Sequence, residues 1–74
     1  MLYDLPETGH TRLIIYDLPG REVHVLIDKV MDPGYYSTLW NGRNSQGQMV
    51  GAGVYLYQIQ SNGFIQTRKM LLLK

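Results

Sequence analysis

Seventy-four residues suffice for one domain with a single modest core, because a chain of this size buries only about 60% of the surface that its unfolded form exposes. There is no cysteine to add a disulfide or a thiolate metal site, and the seven Lys and Arg residues are scattered among six acidic ones, which excludes the clustered positive charge of a nucleic-acid surface. The longest apolar run, Met70-Leu71-Leu72-Leu73, is far shorter than the roughly 20 residues of a membrane-spanning helix, and Met1-Leu2-Tyr3-Asp4 does not open a signal peptide, so a soluble domain without a membrane span is expected.

Runs rich in β-branched and aromatic residues alternate with turn signals, and they predict six strands at 2–5, 11–18, 22–28, 35–40, 53–60 and 64–73. The first is short and ends at Pro6-Glu7-Thr8-Gly9. In the second, Leu13 and Ile15 share one face, while Arg12, Ile14 and Tyr16 share the other. Pro19-Gly20 leads into the third strand, whose Val23 and Leu26 are assigned to the core. Pro33 and Gly34 open the fourth, in which Tyr36, Thr38 and Trp40 alternate with Tyr35, Ser37 and Leu39; the first set is assigned inward. Asn41, Gly42 and Gly47 punctuate a long polar loop, and Gly53 starts the fifth strand, where Tyr55, Tyr57 and Ile59 point inward. Asn62-Gly63 is the strongest hairpin signal, because a type I′ turn requires positive φ at both central residues. It should join the last two strands as an antiparallel pair, and Gly53 and Gly63 should occupy backbone conformations hostile to a Cβ. The final strand ends in apolar residues on both faces, as in a doubly covered strand or an exposed adhesive edge. No window carries helical periodicity. The expected fold is an all-β antiparallel sandwich of the immunoglobulin or fibronectin type III kind, with six or seven short strands and Leu13, Ile15, Val23, Leu26, Tyr36, Trp40, Tyr55, Tyr57, Ile59 and Met70 in its core.

Residues suited to catalysis are few. His10 abuts a turn and His24 lies mid-strand between valines; a turn residue and a solvent-facing strand residue account for them better than a metal pair, which would need a third ligand. The loop Asn41-Gly42-Arg43-Asn44-Ser45-Gln46-Gly47 loosely resembles a calcium loop but has no carboxylate and carries Arg43, so its Asn side chains are expected to bond nearby backbone amides instead. Val50-Gly51-Ala52-Gly53 precedes a strand and not the helix that a phosphate cradle requires. The eight aromatic residues fit core filling better than a sugar-stacking platform, with Tyr35 the best candidate for exposure. Neither an enzyme nor a metal or cofactor site is expected.

Leu13-x-Ile15-Tyr16-Asp17-Leu18-x-Gly20-Arg21-Glu22-Val23, followed by Leu26, Pro33-Gly34, Trp40-Asn41-Gly42-Arg43-Asn44, Gly47, Val50, Gly53-Val54-Tyr55, Tyr57 and Arg68-Lys69-Met70-Leu71-Leu72, resembles the C-terminal sorting domain of type IX secretion cargo. The pattern is similar also to the Ig-like domain of the flagellar hook-capping protein. The likeness covers nearly all of residues 1–74, which it marks as a single domain cut from a longer protein. Two departures stand out: the Asn-Pro-Phe-Asn-Pro-like opening of the family is absent, leaving a shortened first strand, and Asn41 and Asn44 stand where relatives often carry Asp.

The resemblance implies a non-catalytic tail on a secreted or cell-surface protein, recognised by outer-membrane export machinery. An accessible strand can be recognised by β-augmentation, which points to the terminal basic and aliphatic strand, Arg68, Lys69, Met70, Leu71 and Leu72. A structural or assembly module of the hook-cap or adhesin type is the alternative, followed by a carbohydrate-binding module. With a short first strand and an apolar last one, edge pairing or strand exchange with a second copy is also expected.

Overall fold

The computed structural model describes residues 1–73, which contain six strands and no helix. The strands are β1 (Leu2–Leu5), β2 (Gly9–Asp17), β3 (Glu22–Met31), β4 (Gly34–Ser37), β5 (Gly53–Ser61) and β6 (Phe64–Leu72). They form two antiparallel sheets, β1-β4 and β3-β2-β5-β6. The β2–β3 hairpin runs further than its alternation suggests, because Gly9 pairs with Met31 beyond the expected limits at Thr11 and Asp28. Conversely, β4 stops at Ser37, short of Trp40, and the chain turns away after Thr38 exchanges backbone hydrogen bonds of 2.9 and 3.0 Å with Met1.

The β5–β6 hairpin closes on the two-residue turn Asn62-Gly63, with φ of 48° and 76°. Both values are left-handed, as a type I′ turn demands, and the Asn62 side chain adds a 2.7 Å bond to the Thr8 carbonyl. Gly9 makes room for this contact: a Cβ there would lie 2.4 Å from Asn62 Oδ1. Gly53, with φ of 147°, opens β5 as expected. Gly20, Gly34, Gly42 and Gly47 also have positive φ, and Pro33 sits in the short link from β3 to β4.

The core lies between the sheets. Leu13, Ile15, Tyr57 and Ile59 are buried there, and Val23, Leu26, Tyr36, Trp40, Tyr55 and Met70 pack around them half-exposed. Alternation missed Tyr3 and Leu5, which are buried at 6% and 3% exposure because β1 lies directly over the larger sheet. Tyr3 stacks on Tyr36 at 5.7 Å and bonds Thr38 through its hydroxyl. Thr11 and Ser61, also buried, satisfy each other through a 3.1 Å hydroxyl bond.

Ile14 departs from expectation more sharply. It lies on the outer face of the larger sheet, as its alternation requires, yet its exposure is 0%. Its ladder neighbours on that face are Gln58 and Val25. Arg12, two residues earlier on the same face, reaches Asp28 at 3.8 Å and Glu22 at 3.9 Å. Asp28 pairs with Arg12 itself, and Glu22 with Tyr16, so a side chain spanning both passes over Ile14. These ion pairs are long and exposed and contribute little by themselves; the stem and guanidinium act as a cover. Arg12→Ala should therefore cost about 1 kcal/mol in urea denaturation by uncovering Ile14. Arg12→Leu should restore most of it, which an electrostatic role would not allow.

A candidate recognition strand

The terminal strand is an edge. It pairs on one side with β5 and, among the described residues, has no neighbouring strand on the other. Ser61 and Phe64 close a two-residue hairpin and form a hydrogen-bonded pair. Alternation along the ladder then directs the N–H and C=O groups of Ile65, Thr67, Lys69 and Leu71 to the open side. Their side chains stand on the outer face, where Ile65 and Leu71 are each 62% exposed.

The remaining residues of β6 point toward the smaller sheet. Phe64 and Met70 pack on the core, and Leu72 lies against the buried Gly42, whose Cβ position is 3.5 Å from the leucine methyls. Arg68 stands on this same inner face, opposite the buried Tyr57, yet is itself exposed. The five residues singled out in the sequence therefore split between two faces: Lys69 and Leu71 outward, Arg68, Met70 and Leu72 inward. Lys74 lies outside the described residues. Of the two readings of the apolar terminus, the edge strand holds, covered on one face only.

The loop beside the end of β6 is fixed by its own polar groups. Asn41 Oδ1 accepts from the Arg43 amide at 3.1 Å, and Asn44 Oδ1 accepts from the amides of Gln46 and Gln48, each at 3.0 Å. The Arg43 carbonyl accepts two 2.8 Å bonds, from Trp40 Nε1 and from His24 Nδ1. His24 is thus half-buried and tied to the loop, whereas the sequence pattern predicts a solvent-facing strand residue. His10 bonds the Asp28 carboxylate. Among the described residues, no group of three or more His, Cys, Asp or Glu side chains converges.

Tyr35 is 91% exposed on the outer face of β4, whereas the rings of Tyr3 and Tyr36 stack on each other and those of Trp40 and Tyr55 meet edge to face. No helix among the described residues is long and apolar enough to cross a membrane. Comparison with models of known protein families, with curated proteins and with solved structures finds no match to this chain.

Proposed function

We propose that this domain is a non-catalytic sorting module, of the type borne by type IX secretion cargo, and that outer-membrane export machinery recognises it through β6. The observation that carries this reading is the open edge of β6, with the backbone groups of Ile65, Thr67, Lys69 and Leu71 unpaired beside exposed side chains. A strand in that position can be extended by a partner strand, with main-chain bonds giving affinity and alternate side chains giving specificity. The resemblance noted in the sequence points to the same segment. The parent would be a secreted or cell-surface protein.

The test is export of a reporter carrying the domain in a host with type IX secretion. Lys69→Pro removes one N–H on the open side and leaves the ladder to β5 in place, since proline is tolerated on an edge strand. Folded Lys69→Pro should be retained inside the cell and Lys69→Ala exported. Efficient export of both Lys69→Pro and a variant lacking residues 70–74 would overturn recognition through β6.

The assembly reading draws on the same edge together with the exposure of Leu71 and Leu73, 62% and 77%. It requires self-association, so light scattering that finds only monomer at millimolar concentration would remove it. A sugar-stacking surface has less support, because Tyr35 offers one free ring while its aromatic neighbours are engaged with each other.

A further inference from the structure

The two sheets are unequal, and the mismatch falls at one place. Only Asp32 and Pro33 link β3 to β4, which holds β4 over the β3 side of the larger sheet. β1 therefore lies on the β6 side, and Tyr57 of β5 reaches up to it with a 3.3 Å bond to the Leu2 carbonyl. Beyond β1 the smaller sheet has no further strand among the described residues, and the inner face of β6 is left exposed at Arg68. The reciprocal bonds between Met1 and Thr38 set the phase of the β1–β4 ladder and direct the N–H and C=O groups of Leu2 and Asp4 to that outer side. Arg68 stands on the inner face of β6 below this edge, exposed and without an ion-pair partner among the described residues. A depression of about 380 Å³ lined by Leu2, Tyr3, Asp4, Tyr35, Tyr36 and Arg68 adjoins this edge and extends across β1 onto β4.

We propose that the free edge of β1 beside Arg68 is a strand-acceptor site, distinct from the open edge of β6, and that its occupant is an extended acidic peptide of a partner protein. The peptide pairs antiparallel with β1 through the backbone groups of Asp4, the Leu2 N–H and the second lone pair of the Leu2 carbonyl, whose first is taken by Tyr57, and so becomes the third strand of the smaller sheet. Its inward side chains alternate over the uncovered part of β6. One of them is a carboxylate, because the group it must meet is the unpaired guanidinium of Arg68, which binds carboxylates in a planar, two-pronged manner. An apolar or basic side chain at that position would cover Arg68 without satisfying it.

The test is amide NMR titration of the whole domain with a blocked heptapeptide of alternating threonine and valine carrying one central glutamate, and with its lysine counterpart. The glutamate peptide should perturb the amides of Leu2, Asp4 and Arg68 most, and should bind at least about fivefold more tightly than the lysine peptide, a ratio corresponding to one good charge pair. Arg68→Glu should reverse that preference; Arg68→Gln, which keeps the length and polarity, should abolish it, and well-dispersed spectra of both variants will certify their folding. Equal binding of the two peptides, perturbation confined to Thr67, Lys69 and Leu71, or concentration-dependent shifts at β1 in the absence of peptide would overturn the proposal. The last of these results would assign the edge to a second copy of the chain. Export of the reporter fusion is not a readout here, so the two proposals stand or fall separately.

Discussion

Ile15→Ala is expected to destabilise the domain by about 3–4 kcal/mol, the cost of removing a buried isoleucine from a site that cannot collapse around the gap. Ile15 has 0% exposure on the inner face of β2 and pairs with Tyr57 of the adjoining central strand. Both sheets press on it, so the neighbours have little freedom to move inward. At about 0.05–0.15 kcal/mol per residue a chain of this length has about 4–11 kcal/mol of stability in total. The substitution therefore removes a large share of it. Urea denaturation should show the midpoint falling with little change in slope; Ile15→Val should cost only about 1 kcal/mol. Ile14→Ala is the informative contrast. Ile14 is equally buried, but its cover is a flexible arginine on an open sheet face, which can settle into the space left behind. A cost below about 2 kcal/mol is expected there, and equal losses at the two positions would contradict the assignment of Ile15 alone to the core between the sheets.

That contrast also marks how far local sequence pattern carries. Strand positions and inward faces follow from alternation and from turn chemistry, which act between near neighbours: Leu13 and Ile15 face the core, and Asn62-Gly63 closes its hairpin through φ values that few other residues adopt readily. Ile14 was assigned to the outer face correctly, but its burial depends on Arg12 reaching acidic groups on a different strand, Asp28 and Glu22. Sequence order says nothing of such a contact before strand register is known. Tyr3 and Leu5 were missed for a related reason. A four-residue strand gives little alternation to read, and their burial comes from the sheet beneath. At the candidate site, the terminal strand was legible as a basic and aliphatic run, while its division into inward Arg68 and outward Lys69 needed the pairing with Tyr57 and Leu56. The open edge of β1 is a property of topology and has no local signature at all.

Trp40→Ala should have an effect of similar size, about 3 kcal/mol, and should act at a distance on the recognition strand. The indole lies beyond the end of β4, half-buried against the core, and meets Tyr55 edge to face with ring centres 5.1 Å apart. Its Nε1 donates to the Arg43 carbonyl, the acceptor that also holds His24. The same loop carries Gly42, which packs on Leu72 at the end of β6. Truncating the indole thus removes an aromatic contact and one of the two bonds to the Arg43 carbonyl, and it loosens the surface on which the end of β6 rests. Trp40→Phe separates these effects, since it keeps an aromatic ring against Tyr55 but cannot donate to Arg43. Its cost should be about 1–2 kcal/mol, most of it from the lost hydrogen bond to a carbonyl that is still held by His24. Hydrogen exchange supplies the decisive measurement. In both variants the amides of Met70 and Leu72, which bond into the β5 ladder, should lose more protection than those of Gln66 and Phe64 at the opposite end of the strand. A uniform loss along β6 would mean that Trp40 acts through global stability alone and that the loop does not govern how the end of the terminal strand is presented.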